Sequence, residues 1–600
     1  MQCSAPRKKC PSVTSRTRNL QLAIALVWGA CASETTTPPT GSWDAGDGST
    51  ARDAGLAPHA LDSGSSDAAL LDDAALLDDA ALDDAALDDA ALDDGGAPDA
   101  VAPEPWEGTS VYLLMVDRFA NGAPDPDSAS DPCFDPSHPR RFHGGDLVGL
   151  RERLDYLDEL GVQTVWVTPL ARQIGIVRDS AGDECGFHGY WAALEVPDDG
   201  AIEPRLGDED DLHDLLTSMH ERGMRLMLDV VVNHAGFGAP ITRQRPGWFQ
   251  PGDGCASRGN PDETCPLAGL PDFDQSQPEV ASYLAEHTAS WLRRFDIDAI
   301  RMDTVKHVPL SFFAERWIPA VRRERPDAYV LGELWNERPY ATQHAYLDAG
   351  FDGLFDFRLH AALTRDLGQS GSLDAVAARV REAWDELGPE RARLRGLFVE
   401  NHDLPRFASE IHAPNEATAI ERLHLGLAVI TTTPGVPQLY AGTELGMAGR
   451  WPDNRRDMPS WAFDARARGG RRDGYLGNPG DNFALTRALL EARSAHPALR
   501  SGDYVELWRP GGSGVPLYAF ARAAGESRVI VTLSTGAVSG RVPLRDNPHL
   551  DPASRAAYAD GIELVDLLGR ARGARAVVRD GMIELTLPPG GIAIWTLPGR

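Results

Sequence analysis

Four short stretches of the chain carry an acid at the end of an apolar run: LDVVVNH (Asp229), IRMD (Asp303), LGELW (Glu333) and VENHD (Asp403). One acid after a strand is ordinarily just a solvated group. Several brought together can do two-carboxylate chemistry, in which one group attacks carbon and the other delivers and removes a proton. If Asp303 and Glu333 close neighbouring strands, the strand spacing of ~4.8 Å suits the carboxyl separation of ~5–5.5 Å used to break glycosidic bonds with retention. The stretch RMDTVKH adds a second oddity. Lys306, three residues after Asp303, is the only lysine beyond residue 10; every later basic side chain is arginine.

Positioning these acids is a matter of repeated elements. From Trp106, strand-like runs alternate with amphipathic helical ones: SVYLLMVDRF, TVWVTPL, RLMLDVVVNH, IDAIRMD, YVLGEL, FDGLFDF, LRGLFVEN and GVPQLYAG each precede a helical stretch. The spacing predicts one helix over DLVGLRERLDYLDELG, closed by Gly161, and another over LSFFAERWIPAVRRER. Eight β-then-α units predict an α/β fold, a parallel (β/α)8 TIM barrel with chemistry where its strands end. The barrel spans 106–233 and 279–502. The polar, Gly/Pro-rich segment 234–278 reads as an excursion domain after the third strand. Residues 503–600 read as short strands with turn residues, a C-terminal antiparallel β-sandwich domain.

In their order, DVVVNH, LPDFD, IRMDTVKH, LGELWN and FVENHD resemble the sequence regions of the α-amylase family of glycoside hydrolases, and GFHGYW and YAGTELGM match it too. The resemblance runs over about 106–600. It implies Asp303 as nucleophile, Glu333 as general acid/base, and Asp403 as the group that holds the sugar hydroxyls, stabilises the transition state and raises the proton affinity of Glu333. It implies that Arg301 keeps Asp303 ionised and that Tyr190, His234 and His402 contact the sugar beside the cleaved bond, with Lys306 and His307 on the acceptor side. It also implies a structural Ca2+ held by Asn233, Asp272 and the His307 backbone carbonyl; hard cations favour such oxygen ligands. A second site would join Asn121, Asp125 and Asp127 to Asp146, although Ala123 and Pro126 replace ligands of the related loop.

The N-terminus reads as an export signal, residues 1–31: five basic residues precede LQLAIALVWGA, a run too short to span a bilayer permanently. GACAS resembles a lipoprotein cleavage site ending at Cys31, with Trp28 where such sites carry leucine; an ordinary signal cut nearby is the alternative. Residues 32–105 hold DDAAL repeats. A five-residue repeat winds its leucines round a helix, so it predicts a disordered acidic spacer. The net charge of −31 excludes a nucleic-acid partner. Of seven cysteines, four remain once the signal is removed and Cys31 assigned to lipid. Cys255–Cys265 within one loop and Cys133–Cys185 are the expected disulfides.

The expected protein is therefore a secreted or lipid-anchored enzyme at the cell surface, a monomer whose partner is an α-glucan. Endo-acting α-amylases are the nearest resemblance; FVENHDLPRF has Leu404 where those usually have asparagine. With one β domain after the barrel and no further module, a cyclodextrin-forming transferase is less favoured. A maltogenic or transglycosylating relative is the second reading. A non-catalytic glucan-binding protein is the third, and a solute-binding lipoprotein would not need three acids at a barrel mouth.

Overall fold

A computed structural model describes residues 105–599, apart from 125–129, 180–181 and 512–513. The export signal, Cys31 and the acidic spacer up to residue 104 lie outside the described residues, as do Asp125 and Asp127.

The eight apolar runs form the barrel. Its strands are β1 (Val111–Leu114), β2 (Thr164–Val167), β5 (Arg225–Val230), β6 (Ala299–Met302), β7 (Tyr329–Gly332), β8 (Gly353–Leu354), β9 (Gly396–Phe398) and β10 (Val436–Tyr440). All pair in parallel, in the order β8-β7-β6-β5-β2-β1-β10-β9. A parallel bridge between Phe355 and Gly396 joins the two ends and closes the cylinder. The near-continuous apolar runs follow from this geometry, because parallel strands covered by helices are buried on both faces. A short hairpin, β3 (Val177–Asp179) with β4 (Gly182–Glu184), rises after β2 and was not legible as strand in the sequence.

Two expected helices differ in detail. The first is two pieces, Leu147–Glu152 and Leu154–Leu160, broken at Arg153 and ended at Gly161 in the left-handed conformation. The second widens into a π-turn over Phe313–Trp317 before Ile318–Glu324. Pro319 explains it: proline has no N–H and its ring crowds the carbonyl four residues back, so the preceding turn opens.

The excursion segment has no strands among its described elements. Short helical turns, among them Pro240–Gln244 and Pro261–Thr264, are laced together by antiparallel bridges at His234–Asp272 and Phe249–Phe273. Both expected disulfides are present, Cys133–Cys185 and Cys255–Cys265, with Cα separations of 5.8 and 4.9 Å. The first pins the loop after β1 to the loop after β2. Beyond the barrel, β11 (Asp503–Trp508), β12 (Leu517–Ala524), β13 (Ser527–Ser534), β14 (Val538–Pro543), β15 (Val565–Asp566), β16 (Arg575–Arg579), β17 (Met582–Leu587) and β18 (Ile592–Thr596) make two antiparallel sheets, β11-β12-β13-β18-β15 and β14-β17-β16. Side chains from both, including Ile530, Trp595, Val578 and Leu585, share one core.

Candidate active site

The acids gather at the carboxyl ends of the barrel strands. Asp229 is within β5, Arg301 within β6, and Asp303 and Glu333 directly follow β6 and β7, which are hydrogen-bonded neighbours. Asp403 follows β9. After Asp303 the chain turns through Thr304 at φ +50°, a left-handed conformation unusual for a β-branched residue. The turn aims the Thr304 N–H at Glu333 Oε2, 3.2 Å away, while the Val305 N–H donates to the Glu333 carbonyl at 3.0 Å. The carboxyl group of the β7 acid is thereby fixed by backbone of the β6 loop.

Arg301 is the hub. Its side chain is wholly buried; Nη1 lies 2.7 Å from Asp303 Oδ1 and 2.9 Å from Asp229 Oδ1, and Nη2 lies 2.7 Å from Glu333 Oε1. The last contact is an ion pair without hydrogen-bond alignment, since neither atom has a hydrogen-bond partner. Trp166 Nε1 (3.1 Å) and the Tyr190 hydroxyl (2.6 Å) both donate to Asp229 Oδ2. One guanidinium cannot balance three buried carboxylates, so protons stay on some of them. Burial, reinforced by Asp303 and Asp403 and opposed by Arg301, pushes Glu333 up to about 8. Burial and the neighbouring Asp303 likewise push Asp229 up to about 7 against the pull of Arg301. Burial would raise Asp403 too, but His402, Arg455 and Arg301 more than cancel it and hold this carboxyl below the usual range. Arg455 Nη2 donates to Asp403 Oδ1 at 2.8 Å. The site thus holds Glu333, which keeps its proton at neutral pH, beside Asp403, which is charged, the division of labour that acid/base catalysis requires.

The aromatic shell is tight. Tyr190 stacks on His402 with ring centroids 5.2 Å apart and planes 3° from parallel, and Trp166 meets His402 edge-on at 6.0 Å. Gly189 makes the approach of Tyr190 possible: its φ is +92°, and a Cβ there would lie 2.4 Å from the Pro169 carbonyl oxygen. Two expected sugar contacts are buried beside Tyr190. His402 has no exposed surface; its Nε2 lies 3.2 Å from Asp403 Oδ2, and neither ring nitrogen has a hydrogen-bond partner. His234 is also buried and its Nε2 donates to the Tyr190 carbonyl at 3.1 Å, fixing the tyrosine's backbone. Tyr190 itself remains partly exposed.

On the Glu333 side of the mouth, His307 Nδ1 donates to the Asp262 carbonyl at 2.8 Å, and Lys306 Nζ lies 3.9 Å from Asp262 Oδ1. Asp262 belongs to the loop closed by Cys255–Cys265. His307 is therefore spent on holding that loop, whereas the Lys306 side chain keeps 32 % of its surface exposed. Sequence reasoning missed three participants: Asp229 as the partner of Arg301, Trp166 beneath it, and Arg455 on Asp403. Asp229 was visible as a strand-end acid. Arg455 lies 52 residues from Asp403 in a loop with no signal of its own.

For a cation, Asp272 is the informative residue. Its Oδ1 is buried without a hydrogen-bond partner, and burial pushes its carboxyl up to about 7. Its Oδ2 accepts from Asn233 Nδ2 at 3.1 Å. A bare carboxylate oxygen beside a side-chain amide fits part of a hard-cation ligand set. Among the described residues no three His, Cys, Asp or Glu side chains converge as a metal cluster, so the other ligands would be backbone carbonyls and water. Of the second expected site, Asp125 and Asp127 lie outside the described residues. Asp146 accepts from the Gly122 (3.1 Å), Ala123 (2.8 Å) and Gly149 (2.6 Å) N–H groups. Its carboxylate caps a helix and holds the Asn121 loop through these N–H donors.

The comparisons agree with this geometry. Residues 113–244 and 265–482 match the model of the α-amylase catalytic domain. A β/α-amylase of Paenibacillus polymyxa is 27% identical over 519 residues, covering 82% of this chain; the chain spans only 38% of that relative. A cyclomaltodextrin glucanotransferase of Klebsiella oxytoca is 27% identical, over 71% of this chain and 70% of its own. The solved α-amylase of Geobacillus thermoleovorans, complexed with acarbose, superimposes with a TM-score of 0.67 at 26% identity, covering 83% of this chain and 100% of that one. With the family's catalytic domain spread over most of the described barrel and the acids placed at its strand ends, the chain belongs to the α-amylase family of glycoside hydrolases.

Proposed function

We propose that the protein is a retaining hydrolase of α-1,4-glucosidic bonds in starch and maltodextrins. The observation that carries this reading is Arg301 in contact with both Asp303 and Glu333, with burial holding a proton on Glu333. Asp303 attacks the anomeric carbon while Glu333 gives its proton to the leaving oxygen. The covalent glycosyl ester is then opened by water, whose proton returns to Glu333. Asp403, 24 % exposed and clamped by Arg455, is open to sugar hydroxyls and keeps a negative charge near the developing oxocarbenium ion. Tyr190 offers a partly exposed ring beside them.

Asn233 and Asp272 would hold Ca2+ together with backbone carbonyls such as that of His307. The ion would tie the excursion loop to the end of β5 and stiffen the cleft wall, with no part in bond cleavage. The export signal supports secretion or lipid anchoring at the cell surface, with α-glucan as the partner. The second reading, a transglycosylating enzyme, is supported by the glucanotransferase among the relatives.

The test uses the protein from residue 106 with soluble starch. Reducing ends should appear with the α-anomeric configuration, followed by NMR, and Asp303→Asn should abolish them. A wild type inert on starch, maltodextrin and cyclodextrin would sink the reading.

A further inference from the structure

Lys306 carries the only amine side chain among the described residues; every other permanently cationic side chain there is an arginine. The difference is chemical as well as geometric. A lysine can shed its proton and attack a carbonyl carbon, whereas a guanidinium keeps its charge and is inert to an aldehyde. Thiols do not compete, because all four cysteines of the described residues are paired in disulfides. Amine chemistry is therefore confined to one position, and that position is at the cleft. Lys306 lies in the turn Val305–His307, whose first N–H donates to the Glu333 carbonyl at 3.0 Å. Its side chain keeps 32% of its surface exposed, and Nζ lies 3.9 Å from Asp262 Oδ1. Asp262 is held in place. Its carbonyl accepts from His307 Nδ1 at 2.8 Å, and its helical turn, Pro261–Thr264, runs directly into Cys265 of the Cys255–Cys265 disulfide. An accessible amine is thus fixed beside a carboxylate.

Hydrolysis of a glucosidic bond makes a masked aldehyde, since every cut leaves a reducing sugar. Glu333 must meet the leaving oxygen, so the leaving fragment, with its own reducing end, departs on the Lys306 side. Resting on the hydrolase reading above for the identity of the sugar, we propose that Lys306 is a covalent capture site for reducing sugars, through which product blocks the acceptor side of the cleft. Nζ attacks C1 of the open-chain aldehyde. A C–N bond forms, water leaves and an aldimine results. Asp262 then takes the proton from C2 of the sugar, and a proton is returned at C1, which leaves a stable ketoamine. The sequence is a condensation followed by an isomerisation and needs neither oxidant nor reductant.

The experiment incubates the full chain with maltotriose or with maltotriitol, which has no aldehyde. Adducts are located by mass spectrometry after cleavage at arginine. The Met302–Arg316 peptide should gain one sugar less one water. The rate should saturate with maltotriose and exceed that of Nα-acetyl-lysine in the same solution by about tenfold, because the sugar is bound first. Turnover of maltoheptaose should decline in step with the adduct, while that of α-maltosyl fluoride, which has no acceptor sugar, should hold. Maltotriitol should cause neither change. Lys306→Arg should carry no adduct, and its rate on maltoheptaose, whatever its starting value, should stay constant through the incubation. Asp262→Asn should slow ketoamine formation by about tenfold. A bare Lys306, a rate no faster than that of Nα-acetyl-lysine, or an adduct that leaves maltoheptaose turnover untouched would each overturn the proposal. If the chain hydrolyses no glucan but Lys306 is captured faster than the free amine, the hydrolase reading fails and the capture site stands. If it hydrolyses starch and Lys306 stays bare, the capture site alone fails.

Discussion

Arg301 Nη1 lies 2.9 Å from both carboxylate oxygens of Asp229, and both side chains are fully buried. Asp229 therefore anchors the guanidinium from below while Asp303 and Glu333 meet it from above. Removing one partner of a buried pair leaves an uncompensated charge and costs about 3 kcal/mol. Asp229→Ala should lower Tm, measured by calorimetry. Asp229→Asn keeps the shape and should lower kcat by more than its stability loss explains, because Arg301 then swings between fewer anchors. Full activity in Asp229→Asn would show that the anchor is dispensable.

The proton on Glu333 sets the alkaline limb of the reaction. With its carboxyl at about 8 in the folded protein, kcat/KM should fall as pH rises through about 8, because the general acid is lost. Asp403 is one of the charges that raise Glu333, so Asp403→Asn should move the limb to lower pH in whatever activity remains. Stability follows the same sign. A carboxyl raised on folding favours the folded state below its unfolded pKa and loses that contribution as pH climbs to about 8. Glu333→Gln should therefore gain stability over wild type at pH 8–9 and little at pH 4. A limb unmoved by Asp403→Asn would contradict the charge coupling.

Nucleophile and acid/base separate by leaving group. Glu333→Gln should lose roughly 10²–10⁴ in rate on starch, yet retain the first step on an α-glucosyl fluoride substrate, which departs without a proton. Asp303→Asn should lose both. Equal defects of the two variants on the fluoride would reverse the assignment.

Lys306 and Asp262 test the acceptor side. An ammonium is a compact donor of rotatable hydrogen bonds, and a guanidinium a longer planar fork. Lys306→Arg should alter product lengths from maltoheptaose with the fold intact, and Asp262→Ala, which frees the lysine, should alter them as well. Identical chromatograms for all three proteins would show that Lys306 takes no part in setting product length.

Calcium is tested by chelation. EDTA should lower Tm of the wild type, restored by added Ca2+, and Asp272→Asn should abolish the difference while the untreated variant melts lower. An equal Tm with and without chelator would remove the ion from the account.

The barrel was legible because its cause is local: eight apolar runs alternating with amphipathic ones can be buried in few other ways. The acids at strand ends were legible for the same reason, since a strand's last residues are fixed by the strand. Helix interruptions were half legible. Pro319 was in plain view, but its widened turn needs the neighbours it packs against. Less visible were the roles that depend on residues far apart. Arg455 reaches Asp403 from the next strand's loop, and His402 packs against both Trp166 and Tyr190.

By itself, then, the sequence determined which carboxylates stand at the mouth and on which strands, because composition and periodicity dictate the elements. Only the tertiary structure decided which of them keeps its proton. That depends on burial, on one guanidinium shared among Asp229, Asp303 and Glu333, and on Arg455 drawing Asp403 the other way. Desolvation and Coulomb energy vary with distances of a few ångströms, and no spacing along the chain encodes them.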